Sequence, residues 1–156
     1  MLSSTQNCAS SDCQAVSARV NQFEKDLENK SVEGIVALHS NSSVVSWFGP
    51  ADYDSGKILD NLTTYYGGLM SANTNYNQAT LSNLTIMELA PHVINASFSL
   101  LLQGSEIGGG LGFHLGTGAF NYTIYVEQQW VNQGGNWVIQ RESWDFLSLW
   151  IQYPLT

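Results

Sequence analysis

The sequence predicts an α+β fold in which helices from the front of the chain cover one face of an antiparallel sheet built from its back half. Two observations carry this reading. Apolar residues early in the chain recur at three- and four-residue spacing, the helical period. After residue 76 the pattern changes to near-alternation bounded by turn signals, the strand period, and no internal repeat interrupts it. A chain of 156 residues buries roughly 70% of its unfolded surface when it folds as one unit. Residues 13–156 are therefore read as a single domain behind a flexible leader over residues 1–12.

Over residues 13–30, Ala15, Val16, Val20, Phe23 and Leu27 form one face of an amphipathic helix. A second, short helix fits residues 32–39, with Ser31 as N-cap and Glu33 in the first turn. Val44-Val45-Ser46-Trp47-Phe48 reads as a short strand stopped by Gly49-Pro50. Asp54 or Ser55 caps a third helix over residues 56–70, with Ile58, Leu59, Leu62, Tyr65, Tyr66 and Leu69 as its apolar set.

Residues 79–89 alternate imperfectly: Leu81, Asn83 and Thr85 share one face, while Leu84 and Ile86 disturb the split. Ala90-Pro91-His92 is a turn, and residues 93–103 return as the partner strand. A glycine-rich stretch over 104–118 precedes two strands, 120–131 and 137–149, joined by Asn132-Gln133-Gly134-Gly135-Asn136, a strong hairpin signal. Both faces of these last strands read as partly apolar. Tyr122, Ile124, Val126 and Trp130 lie opposite Tyr125 and Val131; Val138 and Trp144 lie opposite Trp137 and Ile139. The helices cover one face, and the other predicts a homodimer through the sheet.

Charge is sparse. Asp, Glu, Lys and Arg make up 12% of the chain, against about 25% in a typical soluble domain. A net charge of −8 with five basic residues argues against nucleic acid and against an anionic membrane surface. No run of about 20 apolar residues is present to span a bilayer. The thirteen asparagines include six in Asn-x-Ser/Thr acceptor patterns, namely Asn29, Asn41, Asn61, Asn83, Asn95 and Asn121, where roughly two are expected by chance. Cys8 and Cys13 are spaced to close a small loop in an oxidising compartment, the alternative being two free thiols. Together these features predict an extracellular or cell-surface glycoprotein. Met1-Leu2-Ser3-Ser4 opens into polar sequence without a signal peptide, so a leader or anchor is expected to lie outside this chain.

Catalytic signals are weak. His114, in Gly112-Phe113-His114-Leu115-Gly116, is a candidate acid or base with no nameable partner. The surrounding glycines lack the following helix and the Lys-Ser/Thr of a phosphate loop. Glu142 and Asp145 are three apart on one strand and fall on opposite faces, so they are separate candidates rather than a pair. His39 and His92 read as structural, and the histidines and cysteines show no metal-ligand spacing. No metal and no cofactor is expected.

This order of elements resembles the nuclear transport factor 2-like superfamily, which includes the SnoaL-like cyclases and the ketosteroid isomerases. Three stretches carry the likeness. One is Leu38-His39 ahead of the strand at 44–47; another is Phe48-Gly49-Pro50 followed by Gly56-Lys57-Ile58. The third, Gly135-Asn136-Trp137-Val138-Ile139-Gln140 running into Arg141-Glu142-Ser143, is similar to the family's closing Gly-x-Trp-x-Ile strand. The likeness spans residues 14–148. It implies a curved sheet wrapped as a cone around the N-terminal helices, sheet-face dimers, and a pocket at the wide end lined here by Trp47, Tyr53, Tyr65 and Trp144. Isomerases of the family carry a carboxylate near the end of the first strand. Here that place reads Ser46-Trp47-Phe48, and Asp52 and Asp54 fall in a turn and a cap, so no catalytic residue carries over.

The resulting expectation is a secreted, glycosylated domain with a pocket for a small apolar ligand. The alternatives are a cofactor-independent isomerase, dehydratase or cyclase using His114 with Asp145 or Glu142, and a structural subunit of an extracellular assembly. A polar, weakly charged surface suits an acidic exterior, where carboxylates are protonated. The far-ultraviolet circular dichroism of the fold should therefore persist at mildly acidic pH; its loss there would count against that habitat.

Overall fold

The computed structural model describes residues 4–6, 10–47, 52–53, 74–106 and 118–152. Among these, two helices, α1 (Ser11–Glu28) and α2 (Val32–Ala37), precede most of the strands. The strands are β1 (Ser4–Gln6), β2 (His39–Trp47), β3 (Asp52–Tyr53), β4 (Thr74–Ala90), β5 (Val93–Glu106), β6 (Gly118–Gln133) and β7 (Asn136–Gln152). They form one sheet in the order β1-β4-β5-β6-β7-β2-β3. The expected third helix over 56–70 lies outside the described residues, as do residues 107–117 of the glycine-rich stretch.

The α+β reading holds, with two corrections. The sheet is mixed: β1 runs parallel to β4, and β2 parallel to β7, on either side of an antiparallel β4-β5-β6-β7 meander. The stretch read as a flexible leader supplies β1, whose Ser4, Thr5 and Gln6 pair with Leu84, Thr85 and Ile86.

Helix α1 starts one turn earlier than its apolar pattern, because Ser10 caps it. The Ser10 Oγ accepts from the Cys13 amide at 3.2 Å, answering one of the first-turn N–H groups that a helix leaves unpaired. Cys13 therefore sits inside the helix, fully buried. Cys8 lies outside the described residues. The buried face of α1 is Cys13, Val16, Val20, Phe23, Asp26 and Leu27. Glu24 fastens this helix to the sheet, its Oε2 accepting from the Leu81 amide of β4 at 2.7 Å. Ser31 caps α2 as expected, accepting from the Gly34 amide at 3.2 Å. Gly34 is required by contact: a Cβ there would lie 2.8 Å from both the Asp26 carboxyl carbon and the Ser31 Oγ.

The core lies between α1 and the inner sheet face. Phe23 packs on Phe98 of β5 with ring centroids 5.9 Å apart, and edge-on to Trp144 of β7 at 6.4 Å. Leu84, Ile86, Ile94, Ala96, Leu100, Leu102, Tyr122, Ile124, Val126, Trp130 and Ile139 complete it. The β6–β7 hairpin turns at Gly134 and Gly135, with φ of 61° and 91°, values open to glycine at little cost. Asn132 Oδ1 accepts from the Gly135 amide at 2.9 Å and closes the turn.

Surplus residues in β4 and β7 set which side chains face inward. In β4, Ser82 pairs with Ser99 and Thr85 with Ser97, so one residue is surplus. Asn83, at φ 55°, takes the strain of that bulge. The buried set therefore changes from Ala79 and Leu81 to Leu84 and Ile86, which is why the alternation looked broken. Because Phe23 joins both helix and sheet aromatics, Phe23→Ala should lower stability by about 3–5 kcal/mol, read as a fall in the urea midpoint with unchanged slope.

Candidate functional site

The second surplus residue builds the most polar part of the interior. Trp130 of β6 pairs with Ile139 and Gln129 with Arg141, leaving Gln140 unopposed in β7. Its side chain is engaged by β2: Gln140 Oε1 accepts from Ser40 Oγ at 3.0 Å and Ser42 Oγ at 3.3 Å, and Nε2 donates to the Ser42 carbonyl at 2.7 Å. The β2–β7 register shifts across the same place, between His39 and Val44. Past the bulge the parity of β7 inverts. Trp137 and Ile139 are buried before it, Glu142 and Trp144 after it. The sequence reading set Trp144 opposite Trp137 and Ile139; the bulge puts all three on one face.

Glu142 is thereby carried into the interior, where its side chain is inaccessible. Such a carboxylate is tolerable only if its oxygens are answered by donors. Three donors do so. Gln128 Nε2 donates to Oε2 at 2.7 Å, while Trp144 Nε1 at 3.1 Å and His39 Nε2 at 3.3 Å meet Oε1. Gln128 is oriented in turn by Trp130 Nε1, which donates to its Oε1 at 3.1 Å. Since an indole nitrogen only donates, the direction of this chain is fixed from Trp130 through Gln128 to Glu142.

The proton on His39 follows by the same reasoning. Its Nδ1 lies 2.9 Å from the Ile35 carbonyl of α2, a group that only accepts, so Nδ1 carries hydrogen. Nε2 then faces a carboxylate oxygen, and the contact is favourable only with a proton between them, on Nε2 or on Oε1. His39 and Glu142 thus meet in a contact closed to water, with both side chains inaccessible. Sequence reading treated His39 as structural and missed this meeting, because the residues are 103 positions apart. The local sign was a histidine at a helix end, which does not state its partner.

The other candidates scatter. Asp145 is exposed on the opposite sheet face from Glu142, so the two carboxylates do not act together. His114 lies outside the described residues. His92 is exposed at the β4–β5 turn with φ 65°. Of the positions expected to line a pocket, Trp144 is 2% exposed and packs in the core. Trp47 and Tyr53 are placed by backbone register alone, paired with Trp144 and Val45. Tyr65 lies outside the described residues. No three His, Cys, Asp or Glu come together as metal ligands among the described residues, and no helix there is long and apolar enough to cross a membrane.

Two cavities border the described residues, the first of them touching the cluster at Glu142. One, of about 400 Å³, is a groove lined by Val44, Asn95, Glu127, Gln129, Arg141, Glu142 and Ser143. The other, of about 330 Å³, runs from Glu28 of α1 along residues 76–80 of β4. The groove follows the outer sheet face, whose described positions on β5 to β7 include Asn95, Ser97, Ser99, Asn121, Thr123, Tyr125, Glu127, Gln129, Arg141 and Ser143. That face is polar. With Trp144 turned inward, the apolar patch on which the sheet-face dimer was expected loses its largest member.

Solved structures share this fold. An NTF2-like protein from Cytophaga hutchinsonii superposes with a TM-score of 0.64 at 12% identity, over 89% of this chain and 100% of that one. A ketosteroid isomerase-like protein from Erwinia carotovora atroseptica gives 0.67 at 10% identity, over 90% and 99%. A hexachlorocyclohexane dehydrochlorinase gives 0.69 at 8% identity, over 91% and 89%. No protein-family model matches the sequence, and no curated protein does. The chain has the nuclear transport factor 2-like fold, an α+β cone of curved sheet on N-terminal helices, as its sequence resemblance implied.

Removing the carboxylate strands the Gln128 and Trp144 donors and the His39 ring at once. Glu142→Ala should cost about 3–5 kcal/mol of stability, the range for breaking a buried charged pair. The exposed Asp145→Ala should leave the urea midpoint unchanged.

Proposed function

We propose that this chain is a secreted, N-glycosylated domain that holds a small apolar molecule and does not transform it. The observation that carries the secreted part is the placement of the acceptor asparagines. Asn29, Asn41 and Asn83 are exposed, and Asn95 and Asn121 are half-buried on the outer face; none of the five is buried. Strand alternation gave this outcome no guarantee, since Ile94, Ala96 and Tyr122 beside them are all inaccessible. A bond between Cys8 and Cys13, the two cysteines of the chain, would suit the same oxidising compartment.

The ligand class is supported by the company the fold keeps. Two of the similar structures are named for a ketosteroid and for a chlorinated cyclohexane. The non-catalytic part rests on the closure of the His39–Glu142 pair, whose side chains are both inaccessible and so cannot reach a ligand proton without a rearrangement. Sugars at Asn95 and Asn121 would stand on the face through which a homodimer was expected, so that dimer is open only to copies lacking them.

A second reading, a cofactor-independent isomerase, dehydratase or cyclase, is favoured by the buried His39–Glu142 contact in a fold common to a dehydrochlorinase. It expects His39→Gln to abolish loss of hydrogen chloride from a chlorinated cyclohexane while the protein stays folded. For the first reading, the chain is secreted from eukaryotic cells behind an added leader and weighed before and after peptide amidase treatment. A mass loss of several sugar chains is expected; an unchanged mass would refute the glycoprotein.

A further inference from the structure

We propose that the groove on the outer sheet face is the seat of the sugar attached at Asn95, so that the chain's own glycan fills it. This rests on the glycosylated reading above and goes beyond it, by assigning one acceptor a folded-state role.

The register defines the groove. Asn95, Gln129, Arg141 and Val44 pair in sequence across β5, β6, β7 and β2, and Ser97, Glu127 and Ser143 form the next row. Neighbouring strands lie about 4.8 Å apart, so Asn95 and Arg141 stand about 10 Å from each other. Between them the cavity of about 400 Å³ offers the Gln129 amide, the Glu127 carboxylate, the Arg141 guanidinium and the Ser143 hydroxyl, against the single aliphatic wall of Val44. That set both donates and accepts, which suits a ring bearing hydroxyl and acetamido groups and does not suit an apolar molecule. Tyr125 steadies the carboxylate, its hydroxyl donating to Glu127 Oε1 at 3.0 Å.

Asn95 is itself part of the wall, and this selects the occupant. Attachment forms a bond from Asn95 Nδ2 to C1 of the donor sugar. The lipid pyrophosphate leaves with the electron pair of the C1–O bond, and the amide gives up one proton. The first ring then starts inside the groove, at an effective concentration on the order of millimolar or above for so short a tether, so weak polar contacts suffice to hold it. Asn29 at the end of α1, Asn41 in the looped part of β2 and Asn83 at the β4 bulge are exposed and line neither cavity.

The test uses the whole chain secreted from eukaryotic cells, with native peptide amidase digestion followed site by site by glycopeptide mass spectrometry. The sugar at Asn95 should be released at least tenfold more slowly than those at Asn29, Asn41 and Asn83, and at the common rate after denaturation. Glu127→Ala with Arg141→Ala should remove the protection while circular dichroism stays native; should that pair misfold, Gln129→Ala serves instead. Equal release in the unmutated protein, protection that survives loss of the groove side chains, or an Asn95 left bare while Asn29 and Asn41 are modified would each overturn the proposal and leave the secreted reading standing. A chain without sugar at any site would sink both.

Discussion

The interior of this protein is organised around a carboxylate that has to be satisfied. Glu142 is inaccessible to water, and the unanswered charge would cost several kcal/mol. Its neighbours are fixed accordingly: Trp144 and Gln128 donate to it, Trp130 orients Gln128, and His39 supplies the last contact. Four of the five residues come from the adjacent strands β6 and β7, and the fifth stands at the junction of α2 and β2. The cluster therefore ties the helical front of the chain to its final strand, using groups that tolerate few other partners. Buried polar sets of this kind are sensitive to any loss, because each remaining member is then left in a low-dielectric setting.

What delivers Glu142 to that place is one unopposed residue. Gln140 adds one step to β7 and exchanges the faces of the residues from Arg141 up to the next register shift, past Phe146. Without it, Glu142 and Trp144 would look outward and Arg141 and Ser143 inward. The same step makes the outer face polar. Arg141 and Ser143 join Gln129, Glu127 and Asn95 across the register, giving a surface suited to hydroxyl-rich partners. Interior and exterior chemistry are thus consequences of the same irregularity, and the hydrogen bonds from β2 to the Gln140 side chain hold it in position.

Much of the fold was legible in the residues because local signals agreed with each other. The Val16-Val20-Phe23-Leu27 stripe, the Ser31 cap and the Gly134-Gly135 turn each state a backbone preference that needs no distant partner, and each is found. Errors arose where parity was counted through a bulge. The broken alternation at Leu81, Asn83 and Leu84 was visible yet read as noise, although Asn is a residue that accepts positive φ. At Gln140 nothing local marks the insertion, since its cause is a set of bonds to Ser40 and Ser42 a hundred residues away. The parallel pairings at both flanks were missed for the same reason: a strand's apolar pattern does not state the direction of its neighbour. Of the candidate site, Glu142 was named but its partner was not, because His39 and Glu142 converge only once β2 lies beside β7.

The account turns on Glu142 being a closed, fully donated acceptor. Hydrogen exchange of the indole N–H groups, followed by NMR and assigned with Trp130→Phe and Trp144→Phe, tests this most directly. The indole hydrogens of Trp130 and Trp144 should exchange as slowly as the core amides of β6. A Trp144 indole hydrogen exchanging at the rate of a solvent-exposed side chain would contradict it.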